Sequence, residues 1–466
     1  MRRILGARPD VVFLDADGWW VCDGSPARRV LVDVFAIPID WGGHDLAGVL
    51  QVLRSDGPTW SRWVGQADSY EMLYRESLVY ILHLMAGLRH FGIRSAVFHT
   101  SVNHHLDTSF VEIACAQRGV PQVYLYNTSF GGRLMPIVQR QSIADRQPLG
   151  VLVSDHRAAS EIATFIENKL AGRRPVQNQP VKSYYLSPTA AVAYAVLSPA
   201  QRFVRRVVRN RTGRSQKFWD DFPGLSLGDQ LRLVRRQKRA LDFYDQHCER
   251  VEPGGSGEGP ALLIAAHFQP EAACYPEGGA FNNHLDIVLA LRDMGHQAPI
   301  LYKEHFASYR YFAPIIGMSG AGMYRSVAYF ERLQSLGCKF LPPTMPLTLD
   351  EAGNHWYLPI TMTGTTALER SLFGLPTIYA GHPWYAGVPG ATHISGTMAL
   401  LAEGPGVTRK SEETARRAFE FIDAMLSGTT IVNVPGIGTG VPLEDRASLE
   451  TFDREFNVLL EKLPAA

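Results

Sequence analysis

The chain alternates short apolar runs with longer stretches in which apolar positions recur every three or four residues. Val11-Val12-Phe13-Leu14, Arg29-Val30-Leu31-Val32, Ser95-Ala96-Val97-Phe98 and Gln122-Val123-Tyr124-Leu125 are short, rich in β-branched residues, and predict strands. Residues 69–91 and 107–118 carry helical periodicity instead, and Gly119-Val120-Pro121 stops the second helix and leads into the next strand. Strands separated by helices predict parallel βαβ units, so residues 1–155 read as an N-terminal Rossmann-like domain.

Residues 156–258 are mostly helical in pattern, offer no convincing strand, and end in a Gly/Pro-rich linker over 251–260. A second α/β region then begins. A buried-type strand is predicted over 261–266, a helix over 280–294, a strand over 299–302 and further alternation to 377–380. A helix over 411–427, a Gly-rich stretch at 435–440 and a closing helix over 445–462 complete the pattern. The expected fold class is therefore α/β with two Rossmann-like domains: 1–155, a helical connector 156–258, a C-terminal Rossmann-like domain 259–430, and a closing helix within 431–466. Two doubly wound halves place a ligand between them, near the carboxyl ends of the strands.

Composition narrows the class. Of 466 residues, 46% are hydrophobic and 20% charged, which argues against a disordered chain, a collagen-like fibre or a coiled-coil rod. The five cysteines lack CxxC spacing, so neither a zinc ribbon nor a disulfide framework is suggested, and a reducing compartment is expected. The start has no long apolar run of a secretory signal, and no stretch approaches the ~18 consecutive apolar residues of a membrane span. A cytoplasmic enzyme is the expectation.

Charge is unevenly spread. The net charge is +1, yet residues 202–239 hold twelve Lys/Arg against three Asp, a local +9 that leaves the rest of the chain at −8. Arg202-Phe203-Val204-Arg205-Arg206-Val207-Val208-Arg209 interleaves apolar and basic residues, as in a helix lying on an anionic membrane. A solvated connector face is the other reading. No nucleic-acid-binding motif surrounds the patch, so no nucleic acid partner is expected.

Four clusters carry candidate chemistry. Ala266-His267-Phe268-Gln269-Pro270-Glu271 follows a predicted strand; Glu271 is a candidate nucleophile or general base with His267 near enough to tune it, or a carboxylate in a first helical turn. Lys303-Glu304-His305, after the next strand, offers Lys303 and His305 to a phosphate or carboxylate, or is a surface Lys–Glu pair. Thr363-Gly364-Thr365-Thr366 precedes a helix and presents hydroxyls and backbone N–H groups to an anion. Glu369 either closes a capping box with Thr366 or binds a ribose hydroxyl. In the first half, His104, His105 and Asp107 open a helix; without an HExxH-like pattern no metal is expected there, and His105 and Asp107 are acid/base candidates.

These residues give the second half a family likeness. Gln269-Pro270-Glu271, Lys303-Glu304-His305, and the block from Thr361 through Gly374-Leu375-Pro376 to Gly381-His382-Pro383-Trp384-Tyr385-Ala386-Gly387 resemble the retaining β-Kdo glycosyltransferases of bacterial capsule and lipopolysaccharide assembly, chiefly across 261–390. The His104-to-Asp107 helix start and Gly119-Val120-Pro121 resemble related surface-polysaccharide proteins. Glu271 stands where many relatives carry Asp, and Phe306 where a Pro usually follows.

The resemblance implies a metal-independent GT-B glycosyltransferase with CMP-Kdo as donor substrate and no cofactor. Its acceptor would be a glycolipid or polysaccharide on the N-terminal side, and its place the inner face of the cytoplasmic membrane. Glu271 would attack the anomeric carbon and form a covalent glycosyl-enzyme that the acceptor opens with retention. Lys303 and His305 would bind donor charge, while Thr363, Gly364, Thr365 and Glu369 would hold the CMP. A GT-B transferase or epimerase using a UDP-sugar, and a non-catalytic polysaccharide-assembly scaffold, are the alternatives.

Overall fold

A computed structural model describes residues 12–15, 18–22, 29–39, 46–55, 70–98, 106–128, 130, 133–139, 146–149, 158–170, 185–186, 193, 197, 227–249, 260–269, 277–281, 283–309, 311–312, 324–345, 356–429 and 446–461. Phe13–Asp15 (β1), Gly18–Cys22 (β2) and Arg29–Val32 (β3) form an antiparallel sheet. Only residues 16 and 17 separate β1 from β2, which permits a hairpin and forbids a helical crossover. Leu46–Ser55 (α1), Tyr70–His90 (α2) and Leu106–Gln117 (α3) share a core in which Val49, Leu53, Ile81, Leu84, Phe110 and Ile113 are fully or almost fully buried.

Ala96–Phe98 (β4), Gln122–Asn127 (β5), Leu134–Gln139 (β6) and Gln147–Pro148 (β7) form a four-stranded sheet in chain order. The β4 and β5 strands are parallel and joined by α3, the βαβ unit that the sequence pattern predicts. From β5 onward the pairing is antiparallel. Residues 128–133 alone link β5 to β6, too short a segment for the dozen or so residues a parallel crossover needs. Among the described residues, the first half thus contains one βαβ unit flanked by antiparallel strands, where alternation along the sequence suggests parallel units throughout.

Ala159–Leu170 (α4), Tyr185–Leu186 (β8) and Leu227–Gln246 (α5) lie in the connector. The β8 strand, absent from the sequence pattern, pairs antiparallel with Tyr311–Phe312 beyond it in the chain. Helix α4 packs against both parts: Ile162 and Phe165 share a core with Ala367, Leu368, Ala418 and Ile422, while Glu161 pairs with Arg133 at 2.9 Å and the Phe165 ring lies 4.9 Å from that of Phe130.

The C-terminal part is built on six strands. Ala261–Ala265 (β9), Ile300–Lys303 (β10), Cys338–Leu341 (β12), Tyr357–Thr361 (β13), Thr377–Tyr379 (β14) and Ala391–His393 (β15) make one sheet, with Tyr311–Phe312 (β11) outside it. Every pairing in it is parallel. The order across the sheet is β12-β10-β9-β13-β14-β15, so in order along the chain the strands stand 3-2-1-4-5-6. That is the doubly wound Rossmann order. Leu262 and Ile264 on β9 pack with Ile287, Val288 and Leu291 of His284–Asp293 (α6) and with Phe330 and Leu333 of Val327–Ser335 (α7). Their neighbour Leu263 faces the opposite side with Leu301, Leu341 and Tyr357. This alternation on a sheet buried on both faces explains why β9 reads as a continuous apolar run. Each fully buried Leu or Ile in it contributes about 2 kcal/mol.

Thr365–Leu372 (α8) follows β13, and its chain end turns through Gly374 at φ +73°. A Cβ there would sit 2.1 Å from the Ser411 carbonyl oxygen, so both the backbone angle and the space demand glycine. Thr397–Ala402 (α9), Glu412–Thr429 (α10) and Arg446–Glu461 (α11) complete the chain.

Candidate functional site

In a doubly wound sheet the strand order reverses beside the first strand, and there the loops part to leave a crevice at the carboxyl ends. Here the reversal falls between β9 and β13, and the residues just beyond those strands are His267 to Gln269 and Thr361 to Gly364. The two sides touch. His267 Nε2 lies 2.6 Å from Thr361 Oγ1, which also accepts the Gly364 N–H at 3.2 Å. We assign the Thr361 hydroxyl as donor to His267 Nε2, which leaves the ring proton on Nδ1. Burial, aided by His305, pushes His267 down to about 3, so the ring is neutral near neutral pH. A Cβ on Gly364 would stand 2.7 Å from His267 Cε1 and from Thr361 Oγ1, so only glycine lets this turn rest on the imidazole.

Beneath this pair runs a buried polar network. The His267 backbone N–H donates to His284 Nε2 at 2.7 Å. His284 therefore carries its proton on Nδ1, and the 3.5 Å approach of Arg325 Nη2 brings two donors face to face without a hydrogen bond. Burial first, then the Arg325 cation, holds His284 well below the ordinary imidazole value. Arg325, itself buried, donates to Gln269 Oε1 and pairs with Glu304 at 2.5 Å. The Glu304 carboxylate also accepts from Ser308 Oγ at 2.9 Å, from the His305 N–H at 2.8 Å and from Tyr302 OH at 3.1 Å. Burial opposes ionisation, but the Arg325 cation and these donors outweigh it and hold Glu304 below its ordinary value.

Lys303 and His305 flank this carboxylate at the end of β10. Lys303 is half-buried, and burial lowers its ammonium while the Glu304 charge opposes the shift. The surface Lys303–Glu304 pair considered from sequence does not form, since Glu304 turns inward to Arg325. The His305 ring lies 4.5 Å from that of Phe306 and 6.3 Å from that of Phe268.

The hydroxyl-rich turn after β13 starts α8 two residues too early for a capping box. Gly364 is the N-cap and makes no side-chain cap bond, so Thr366 is the second helical residue and cannot cap with Glu369. Glu369 instead accepts from Thr365 Oγ1 at 3.0 Å and from Lys169 of α4 at 2.5 Å. Tyr385 OH donates to the Gly364 carbonyl.

A third cluster joins the two halves. Glu277, 2% exposed, accepts from Tyr126 OH at the end of β5 at 3.2 Å and from Thr363 Oγ1 at 3.4 Å, and lies 3.6 Å from Arg146 Nη1. Its carbonyl accepts the His382 N–H at 2.8 Å. The carboxyl end of β5 thereby meets the loops after β13 and β14.

Of the residues singled out from sequence, the structure brings His267, Lys303, His305, Thr363, Gly364, Thr365, Thr366 and Glu369 to the carboxyl ends of three neighbouring strands. Asp107 lies in the first turn of α3 in the other half, and nothing described links it to the crevice. Glu271 and His105 lie outside the described residues. Gln269 enters from sequence only as part of the Gln269-Pro270-Glu271 element, and His284, Arg325, Glu277 and Lys169 are not among the candidates the sequence offers. A polar residue at a helix start is the only local signal for His284 and Arg325, and their partners are 17 to 56 residues away in sequence. Among the described residues, no group of three or more His, Cys, Asp or Glu could hold a metal, and no helix is long and apolar enough to cross a membrane. No family model, curated protein or solved structure matches the chain.

Proposed function

We propose that the chain is a glycosyltransferase of the GT-B kind that transfers Kdo, or a related ulosonic acid, from a CMP-activated donor to a glycolipid or polysaccharide acceptor. One observation carries the reading: the 3-2-1-4-5-6 sheet puts the Thr363-Gly364-Thr365-Thr366 turn beside the strand reversal, where such sheets receive nucleotides. The N–H groups of the first turn of α8 favour a phosphate, and Thr363 and Thr365 add hydroxyl donors. Lys303 and His305, on the other side of β9, suit the donor's carboxylate. The neutral His267 acts as a fixed support for the turn rather than as a proton carrier.

In this reaction the Glu271 carboxylate attacks the anomeric carbon, the bond from that carbon to the phosphate oxygen breaks, and CMP leaves with the electron pair. The acceptor hydroxyl then attacks the same carbon, expels the carboxylate and loses its proton to a base, so two inversions give retention.

Calorimetric titration of CMP and of UDP into the full chain, without added metal, tests the reading. CMP is expected to bind, and Thr365→Val or Glu369→Gln to weaken it about tenfold, the effect of some 1.4 kcal/mol. With Glu271→Gln, binding should persist while transfer stops. Binding of UDP alone would replace the donor by a UDP-sugar, and binding of neither would favour a non-catalytic assembly role.

A further inference from the structure

Helix α4 carries one cation on its packed face. Ile162, Phe165 and Ile166 join the core shared with α8 and α10, and Lys169 continues that row at helical spacing, so its stem runs along the core. The start of the helix is pinned: Arg133, fully buried, donates to Glu161 at 2.9 Å, and the Ala158 N–H donates to Ser427 Oγ of α10 at 3.0 Å. At the other end, Lys169 Nζ stands 5.4 Å from the centre of the Phe165 ring and 2.5 Å from Glu369 Oε1. The side chains of Lys169 and Glu369 are only 17% and 16% exposed.

Both donors to Glu369 meet the same oxygen. Thr365 Oγ1 donates to Oε1 at 3.0 Å, and Lys169 donates to it as well, while Oε2 accepts no hydrogen bond from the described residues. A carboxylate fixed on one side in this way keeps the lone pairs of its other oxygen for a donor from outside the chain.

Helix stability does not account for the arrangement. Glu369 is the fifth residue of α8, past the first turn where the macrodipole favours a carboxylate. Nor does Lys169 hold α4 on α8, since Ile162 and Phe165 do so with Ala367 and Leu368. Its effect falls on the carboxylate. One turn before Glu369, Thr365 opens the helix that would receive a phosphate, and a bare carboxylate so near would repel that anion. Lys169 offsets the charge and leaves an acceptor oxygen in place.

We propose that Lys169 is a positioning residue for ribose recognition: it holds Glu369 Oε1 so that Oε2 accepts a hydroxyl of the bound nucleotide. The assignment rests on the reading of CMP as the donor's nucleotide. A hydroxyl bonded to an ionised oxygen makes a charge-assisted contact, which a sugar without hydroxyls forfeits. Since Lys169 comes from the connector and Glu369 from α8, the sugar is read where those two helices are packed together.

Calorimetric titration of the full chain with CMP and with 2′,3′-dideoxy-CMP, which has the same phosphate and no ribose hydroxyls, tests the assignment. The wild type should bind CMP about tenfold more tightly than the dideoxy nucleotide. In Lys169→Met the ratio should fall to about twofold or less, and Lys169→Arg should restore most of it. Electrostatic losses common to both nucleotides cancel in that ratio. Once Glu369→Gln is present, Lys169→Met should not change the ratio further, whereas a merely structural role would act in either background. An unchanged ratio in a Lys169→Met variant with the wild-type circular dichroism would overturn the assignment and leave CMP as the nucleotide. Equal binding of both nucleotides by the wild type would do the same. Binding of neither would remove the donor reading and the role of Lys169 together.

Discussion

The buried imidazoles at the crevice floor make the fold sensitive to mild acid. His267 and His284 are 8% and 0% exposed, and both are held neutral, His267 down to about 3 and His284 well below its ordinary 6.5. In the unfolded chain each takes up a proton as pH falls through about 6.5, while in the folded chain neither does. The unfolded state then binds more protons, so stability falls with pH. From about pH 7.5 to 5.5 this amounts to roughly 1.4 kcal/mol per imidazole, or about 2.7 kcal/mol for the two. His296 and His382, also lowered by burial, act in the same direction. With a urea m-value of about 3 kcal/mol/M, the unfolding midpoint should drop by about 0.9 M over that range. His267→Gln should remove about half of the drop. A midpoint that stays level between those pH values, or a His267→Gln variant that keeps the full slope, would refute the neutral-imidazole assignment.

Two further substitutions probe the same half. Glu304→Gln leaves the Arg325 cation buried without its carboxylate and should cost about 3–5 kcal/mol in urea unfolding, while Glu304→Gln with Arg325→Met should recover most of it; a single-variant loss under about 1 kcal/mol would contradict the buried pair. Since Glu304 is held below its ordinary value, its contribution is present above about pH 4.5 and disappears as pH falls through the folded value. Gly374→Ala should cost about 2 kcal/mol or more through its left-handed backbone and the contact with the Ser411 carbonyl, and a melting temperature equal to wild type would show that the turn relaxes.

Much of the C-terminal sheet is legible in the chain because its strands are buried on both faces and its helices are amphipathic. The strand expected over 261–266 is β9, the one over 299–302 is β10 shifted by a residue, and the helix over 411–427 is α10. In the first half the same alternation does not reveal pairing direction, which depends on loop length: residues 16–17 and 128–133 are too short for a crossover, and the strands they lead to, β2 and β6, are not among those the pattern offers. The turn at Thr363 and Gly364 is legible as a cluster of hydroxyls before a helix. What Glu304 and Glu369 do is not, since Arg325 and Lys169 reach them across 21 and 200 residues. Carboxylates choose their cations in space: Glu304 pairs with Arg325 and not with Lys303 beside it, and Glu369 with Lys169.

The seam of Phe130, Ala158, Ile162 and Phe165 against Ala367, Leu368, Tyr385 and Val388 bears on how the chain can be dissected. A cut near residue 155, between strands and helices that look separable on paper, passes through close-packed side chains. A fragment ending there would bare Phe130, and one beginning at 259 would bare the outer side of α8 and lose Lys169 from Glu369. The piece that folds as a unit with the parallel sheet therefore includes α4, and a truncated protein meant to retain the crevice has to start before Ala158.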